Sequence, residues 1–265
     1  MNEWRLLPLE TRNAFINMAV DEAILTARTS NLVPNTLRFF RWQPSAVSIG
    51  KFQNIENEVQ IDSCQKHGID MVRRITGGGA VYHDAEDEIT YSVVVDIHDL
   101  QTKDITVVYA KIYTAIAEAL KILGINADFN LGDAKTCPNL TVNGKKISGS
   151  AQSHKKGTVL QHGTLLLDVD LEKMFTFLRV PWAKTCMEIV NVAKHKITSI
   201  RQETGKNITA TEAEQALVTG FQKSLNIKLA TSELTAFEHE IAERLFKEKY
   251  STKEWNFHGK SKISE

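Results

Sequence analysis

The chain has 265 residues, of which 42% are apolar and 24% are charged. These fractions are typical of a folded globular protein and exclude disordered, collagen-like and coiled-coil classes. The 32 basic residues balance the 32 acidic residues, so no global positive charge attracts nucleic acid, and any anion site must be local.

The three cysteines are Cys64, Cys137 and Cys186, and no Cys-x-x-Cys pair occurs. This spacing argues against a disulfide framework or a cysteine-rich zinc site, and we expect a reducing cytoplasm and no metal centre. We interpret Cys64 and Cys186 as core residues in helical stretches. The N-terminal residues lack the pattern of a signal peptide, and no apolar run reaches the roughly 20 residues of a membrane span. We therefore expect a cytoplasmic protein with neither a membrane nor a nucleic-acid partner.

The first half of the chain predicts one helix followed by several strands. Asn13 can cap a helix, because apolar side chains recur at helical spacing from Phe15 to Ile24. Turn residues separate β-rich runs at Leu37–Trp42, Ala46–Phe52, Met71–Thr76, Ala80–His83 and Ile89–Asp96, with one helical stretch that ends near Gly68. A second amphipathic helix is predicted from Val107 to Leu123, and a strand near Ala127 follows it.

The second half predicts two hairpins and then helices. Asn143-Gly144 is a strong two-residue turn signal, and β-rich runs flank it at Asn139–Val142, Lys145–Gln152 and Thr158–Asp168. Long helices are predicted at Thr211–Leu225 and Ser232–Tyr250. The pattern predicts an α+β fold with one domain over residues 1–250 and a polar tail over residues 251–265; the chain from Lys249 onward is expected to fray.

Three consecutive glycines, Gly77, Gly78 and Gly79, follow Arg73 and Arg74 and precede another strand. Glycine lets the backbone approach a ligand closely, and the N–H groups of such a loop form an anion site beside which arginine can bind phosphate or carboxylate. A glycine hairpin with solvated arginines is the structural alternative. His83, together with Asp84, is interpreted as structural or as lying at the substrate's edge.

Two lysines follow the Asn-Gly turn in one strand, so Lys145 and Lys146 are expected to point to opposite faces. A lysine that faces a cavity can stabilise negative charge on a phosphate or carboxylate. A basic hairpin edge that discourages aggregation is the alternative. His162 is by itself typical of a hydrogen-bonded sheet residue, and Cys137 is either a nucleophile or a buried thiol.

In their order along the chain, these segments resemble the lipoate-protein ligase A family, which is related to biotin-protein ligases and to octanoyltransferases of the LipM type. The segments are Asn17–Ala23, Leu37–Trp42, Ser48–Gln53, Arg73–Asp84, Gly144–Gln152, Gln161–Leu166 and Tyr250–Asn256. The resemblance implies a mixed, largely antiparallel sheet with packed helices around a tunnel for an eight-carbon chain.

In that family, lipoate and ATP with Mg²⁺ form lipoyl-adenylate, and the acyl group is then transferred to a lysine of an acceptor protein. The resemblance implies that Lys146 is catalytic, with Lys145 as its solvated neighbour, and that Arg73 and the glycine loop cradle the adenylate. It also implies binding roles for Val81, Tyr82, His83, Asn139, Ser148, Gly149, His162, Gly163 and Thr164. The implied acceptors are the lipoyl domains of 2-oxoacid dehydrogenase E2 chains and the glycine-cleavage H protein.

Three functions stay open. The preferred hypothesis is a lipoate-protein ligase that activates lipoate or octanoate with ATP, with a possible separate small accessory chain. The second hypothesis is ATP-independent octanoyl transfer from acyl carrier protein through Cys137. The third is a lipoate- or nucleotide-binding module without catalytic activity.

Overall fold

The computed structural model describes residues 2–132, 138–183, 185–261 and 263. The strands are β1 (Asn2–Arg12), β2 (Thr36–Trp42), β3 (Ala46–Ile49), β4 (Asp70–Arg73), β5 (Val81–His83), β6 (Glu88–Asp96), β7 (Asp128–Asn130), β8 (Asn139–Val142), β9 (Lys145–Lys155), β10 (Thr158–Leu166) and β11 (Ile227–Thr231). The helices are α1 (Ala14–Thr29), α2 (Ile55–Glu58), α3 (Ile61–Lys66), α4 (Ile105–Ile122), α5 (Leu171–Phe177), α6 (Cys186–Ala193), α7 (Ile200–Thr204), α8 (Ala210–Leu225), α9 (Ala236–Leu245) and α10 (Lys253–His258), and a π-helical turn spans Phe246–Tyr250.

Among the described residues, the strands form two sheets. The large sheet has eight strands in the order β11-β1-β2-β6-β10-β9-β8-β7, and the small sheet has the order β4-β3-β5. In the large sheet, β1 pairs in parallel with β11 and β2, and the remaining pairs are antiparallel. The predicted α+β fold with a mixed, largely antiparallel sheet is confirmed.

The large sheet separates two hydrophobic cores. Helices α4 and α8 cover one face, where Phe39 and Tyr91 of the sheet pack with Ile116 and Phe221. Helix α1 covers the other face, with Met18 and Ala23 among its buried residues. Since successive strand residues face opposite sides, Phe40 joins this second core.

The small sheet has a core of its own together with α2, α3 and α5. Val47 and Ile49 of β3 pack there against Ile55, Cys64 and Phe177. Cys64 is buried, as predicted, and burial raises the pKa of its thiol to about 11. Cys186 was predicted to lie in the core, which is wrong: it is exposed, because it begins the short surface helix α6.

The predicted fraying from Lys249 onward is wrong for the part of that segment up to Asn256. Tyr250 and Trp255 are almost fully buried in the second core. The ammonium of Lys249 donates to both carboxylate oxygens of Glu22, at 3.0 and 2.9 Å, and Tyr250 Oη donates to the same group at 2.5 Å. A buried ammonium paired in this way holds the segment against α1.

Strands β1 and β11 have no counterpart among the predicted elements. Each pairs with a strand that is distant in sequence, Asn2 with Ile227 and Leu6 with Leu37. Local patterning carries little information on such pairings. None of the helices in the described part of the chain is long and apolar enough to span a membrane.

Candidate active site

A cavity of about 180 Å³ lies between the large and small sheets. Strands β9 and β10 form one wall, and β5 with the chain that precedes it forms the opposite wall. The lining residues are Met18, Trp42, Ser48, Arg74, Gly78, Gly79, Ala80, Val81, His83, Thr90, Pro138, Lys146, Gly149, Ser150, Ala151, His162, Gly163 and Thr164.

Most of the predicted site residues converge on this cavity. Those that line it are Gly78, Gly79, Val81, His83, Lys146, Gly149, His162, Gly163 and Thr164. Those that do not line it are Arg73, Gly77, Tyr82, Asn139 and Ser148. Cys137 lies outside the described residues, and Pro138, which follows it in sequence, lines the cavity.

The structure places Arg73 differently from the prediction. Its guanidinium is buried and donates to six backbone carbonyls, three in residues 50–53 and three in residues 255–257, at 2.7–3.2 Å. The five N–H groups of this one guanidinium share the six bonds, and together they join the loop after β3 to helix α10. The arginine that lines the cavity is Arg74.

Arg74 organises the glycine loop. Its Nη2 donates to the carbonyl oxygens of Gly77 and Gly79, each at 3.0 Å, and its Nη1 donates to Ser48 Oγ at 2.7 Å. Gly78 has a φ of +87°, and its carbonyl oxygen would lie 2.1 Å from a Cβ at Gly50. Glycine is therefore required at residue 50, where loop and strand backbones touch.

Strand alternation separates Tyr82 from its neighbours. Val81 and His83 face the cavity, whereas Tyr82 packs on Phe177, with ring centroids 5.3 Å apart. Tyr82 belongs to the core of the small sheet. A side chain at the middle of three strand residues faces away from its neighbours, and this is why Tyr82 does not line the cavity.

Two further predicted residues lie beside the cavity in the large sheet. Asn139 pairs with Gly149, and Ser148 is buried opposite Leu165. Ser148 belongs to β9, which carries several lining residues, and Asn139 belongs to β8, which pairs with β9; neither residue lines the cavity itself.

Lys146 reaches the cavity through an irregularity in β9. Ser148 pairs with Leu140, but Lys146 pairs with the next residue, Thr141, so β9 contains one extra residue. This bulge puts Lys146 on the same face as Gly149, although residues three apart in a regular strand face opposite sides. Lys146 is exposed and Lys145 is half-buried, the reverse of the predicted solvation, and it is the exposed Lys146 that lines the cavity.

The backbone of Lys146 is held by the segment before α7. Its N–H donates to the carbonyl oxygen of Lys196 at 2.7 Å, and its carbonyl oxygen accepts from the N–H of Thr198 at 2.9 Å. Both backbone groups are thus satisfied at the point where the bulge interrupts the sheet.

His162 belongs to a buried polar cluster with α1. Its Nδ1 lies 2.8 Å from Asp21 Oδ2, and Arg38 Nη1 donates to Asp21 Oδ1 at 2.7 Å. Burial lowers the pKa of His162, and the nearby charge of Arg74 also lowers it, against the opposing effect of Asp21. Burial raises the pKa of Asp21, but the hydrogen bond from His162 and the charge of Arg38 outweigh it and hold the pKa below its usual value. We infer a neutral imidazole beside an ionised carboxylate.

A chain of hydrogen bonds joins the two histidines through Arg74. Thr76 Oγ1 lies 2.8 Å from His162 Nε2 and accepts from Arg74 Nε at 3.3 Å. On the other side, Ser48 Oγ accepts from Arg74 and lies 2.6 Å from His83 Nε2. The side chains of this chain of contacts hydrogen-bond to one another, and the apolar walls of Met18, Val81 and Ala151 remain for an apolar ligand.

Four residues of this cluster were not among the predicted site residues: Asp21, Ser48, Arg74 and Thr76. Arg74 stands next to Arg73, and the available signal was that Arg74 is one residue closer to the glycine loop, three positions before Gly77. Asp21 and Ser48 lie within quoted segments, but their function depends on contacts between distant residues. No local signal identifies those contacts.

Among the described residues, no group of three or more histidines, cysteines, aspartates and glutamates could hold a metal ion. A Mg²⁺ ion that arrives with a nucleotide is typically bound through the phosphates and retains several waters.

Comparison with known proteins identifies the family. Residues 13–222 match the family model described as lipoyl protein ligase A/B catalytic domain. The octanoyltransferase LipM of Anoxybacillus flavithermus is 36% identical, and that of Geobacillus kaustophilus is 37% identical. Each alignment covers 96% of this chain and 98% of the relative.

Solved structures agree with this result. A bi-partite lipoate protein ligase from Thermoplasma acidophilum, described with its E2 lipoyl domain, has a TM-score of 0.85 and 32% identity over 100% of both chains. Lipoate-protein ligase A bound with ATP has a TM-score of 0.83 and 32% identity, over 96% of this chain and 98% of that chain. The chain is an enzyme, and it belongs to the lipoyl protein ligase A/B catalytic domain family.

Proposed function

We propose that the chain is an octanoyltransferase that moves an octanoyl group from acyl carrier protein to a lysine of a lipoyl domain. The observation that carries the proposal is that Lys146 and Pro138, the residue after Cys137, line the same cavity. Relatives named octanoyltransferase LipM match this chain over nearly the whole length of both proteins. Membership of a family of enzymes argues against the non-catalytic binding module.

The proposed reaction has two acyl transfers. The thiolate of Cys137 attacks the thioester carbonyl of the donor, a C–S bond forms to Cys137, and the carrier's thiolate leaves and takes up a proton. The neutral ε-amine of the acceptor lysine then attacks the new thioester. A C–N bond forms, the bond to Cys137 breaks, and the proton lost by the amine returns to the thiolate. No ATP is consumed.

Lys146 has the charge that both steps require. Negative charge develops on the carbonyl oxygen in each tetrahedral intermediate, and an ammonium group at the cavity mouth lowers its energy. A positive neighbour also lowers the pKa of a cysteine thiol, which increases the thiolate fraction. In this proposal the acyl chain occupies the apolar part of the cavity, between Met18, Val81 and Ala151.

Two cysteine variants test the thioester route. The purified chain is incubated with octanoyl acyl carrier protein without ATP, and both the acyl-enzyme mass and transfer to a lipoyl domain are measured. We expect an octanoyl adduct and transfer with the wild type and with Cys186→Ala, a matched control at an exposed cysteine. We expect neither with Cys137→Ala. Full transfer by Cys137→Ala would overturn the proposal.

A second candidate function is the ATP-dependent lipoate-protein ligase. Its support is the similarity to lipoate-protein ligase A bound with ATP and to a Thermoplasma acidophilum protein with bound lipoic acid. In this alternative Lys146 neutralises the acyl phosphate of an adenylate. Release of pyrophosphate from ATP, Mg²⁺ and lipoate, measured with and without a candidate accessory chain, distinguishes it from the octanoyltransferase.

A further inference from the structure

Glu88 lies beneath the candidate site without lining the cavity. The residue begins β6, and only 1% of its surface is exposed. Its Oε1 accepts from Thr90 Oγ1 at 3.1 Å and lies 2.7 Å from His83 Nδ1. Its Oε2 is buried and has no hydrogen-bond partner among the residues that the structure describes. Both contacts therefore converge on one carboxylate oxygen.

Trp42 closes a ring of contacts around this carboxylate. Its Nε1 donates to Thr90 Oγ1 at 2.8 Å. Its indole ring stacks on the imidazole of His83, with centroids 3.9 Å apart and an interplanar angle of 17°. The imidazole is thus fixed in its plane by the stacked ring and along its edge by Glu88.

This arrangement determines where His83 carries its proton. Thr90 Oγ1 accepts from Trp42 and donates its hydrogen to Glu88 Oε1, so Oε1 is an acceptor and Nδ1 of His83 carries the hydrogen between them. In a ring that carries this single proton, Nε2 is an acceptor and takes the hydroxyl hydrogen of Ser48, 2.6 Å away. The Ser48 oxygen turns a lone pair toward Arg74, whose Nη1 donates to it at 2.7 Å.

Arg74 links Ser48 to the glycine loop in the wall of the cavity. Its Nη2 holds the carbonyl oxygens of Gly77 and Gly79. If His83 carried its proton on Nε2 instead, that N–H would point at Ser48 Oγ, and the fully buried Ser48 hydroxyl would lose the acceptor of its own hydrogen. Ser48 would then have to rotate toward another acceptor, which would disturb its contact with Arg74 and, through Arg74, the glycine loop.

We propose that Glu88 is a positioning residue that fixes the tautomer of His83 and, through Ser48, the orientation of Arg74 and the glycine loop. The expected effect on acyl transfer rests on the proposed function. The tautomer of His83 is measured independently of any activity.

Glu88→Met is the sharpest variant, because it roughly preserves size and removes the oxygen that faces Nδ1. Without that acceptor, the proton of His83 is free to move to Nε2, which gives the wrong tautomer. We expect kcat/KM for acyl transfer to fall about tenfold or more. Glu88→Gln should keep most of the activity, because its amide oxygen can accept from both Thr90 Oγ1 and His83 Nδ1 while its NH₂ takes the place of Oε2. The matched control is Glu86→Met, two residues away on an exposed side chain that is 80% accessible, and we expect it to retain wild-type activity. Melting temperatures of all three variants verify that they fold.

A double-variant cycle with Ser48→Ala tests the route from Glu88 to Arg74. Ser48→Ala cuts the chain of hydrogen bonds, so adding Glu88→Met to it should cause no further loss of kcat/KM. A loss from Glu88→Met that is equally large with and without Ser48 would overturn the proposal, as would wild-type activity of Glu88→Met.

Nitrogen-15 NMR of the histidine rings gives the measurement that does not depend on activity. We expect His83 to carry its proton on Nδ1 in the wild type and to gain the Nε2–H form in Glu88→Met. A wild-type ring protonated at Nε2 alone would refute the positioning role. A wild type that transfers no acyl group from either donor would refute the proposed function and leave the NMR test to decide on Glu88.

Discussion

The side chain of Lys146 lies directly over the backbone of Gly149. A Cβ atom added to Gly149 would lie 2.5 Å from Lys146 Cε and 2.6 Å from Nζ. Two residues three positions apart share a face only because the bulge in β9 adds a residue between them. The bulge, together with the absence of a Cβ atom at Gly149, gives the ammonium group of Lys146 its position at the cavity.

Gly149→Ala is predicted to displace the ammonium group of Lys146. An added methyl cannot occupy the space of Cε and Nζ, so the lysine must rotate away. A misplaced charge in a preorganised site costs about 10- to 100-fold in rate, and we expect kcat for acyl transfer to fall by that factor. Steady-state kinetics measure the loss.

The double variant shows whether the glycine acts only through the lysine. Adding Gly149→Ala to Lys146→Met should not lower kcat below that of Lys146→Met alone, since the displaced group is already gone. A further large loss would mean that Gly149 has another role, such as admitting the substrate.

The two neighbouring arginines are predicted to differ in what they control. Arg73→Lys should lower the free energy of unfolding by about 2–4 kcal/mol, because a lysine cannot replace the fork that donates to two segments at once. Helix α10 should then exchange its amide hydrogens faster. Arg74→Lys should lower kcat/KM with a smaller effect on stability. Urea unfolding and steady-state kinetics on both variants check this contrast. A loss of activity without a loss of stability in Arg73→Lys would mean that Arg73 acts in the site after all.

Stability is predicted to fall as the pH drops just below 6.5. Burial holds the pKa of His162 below its usual value of 6.5, so the unfolded chain binds this proton before the folded chain does. Stability rises with pH wherever the unfolded state binds more protons, and acidification therefore destabilises the fold. His162→Gln should reduce this slope, whereas His195→Gln, at an exposed position, should leave it unchanged. Urea unfolding over a pH series measures the slope, and equal slopes in all three proteins would contradict the prediction.

Local chemistry made several elements predictable. Asn13 caps α1, its Oδ1 accepting from the N–H of Ile16 at 2.9 Å. Asn143 and Gly144 have φ values of 49° and 78°, as the turn between β8 and β9 requires. The triple glycine and the lysine strand were expected to belong to one site, because the resemblance covered both segments, and Gly78, Gly79 and Lys146 line the same cavity.

The remaining features depend on contacts between distant residues. The bulge beside Lys146 has no sequence signal, because the alternation in β9 is equally compatible with a regular strand. The choice between Arg73 and Arg74 depends on helix α10, whose carbonyls occupy the first arginine. Asp21 is 141 positions from His162, and no local pattern predicts that pair.

The most direct test of the account is the intact mass of a lipoyl-domain acceptor after incubation with octanoyl acyl carrier protein in the absence of ATP. We predict octanoylated acceptor with the wild type and with Lys145→Met, and at least about 100-fold slower transfer with Lys146→Met, because one stabilising charge is lost from both transition states. Acceptor that is modified equally fast by Lys146→Met would contradict the account.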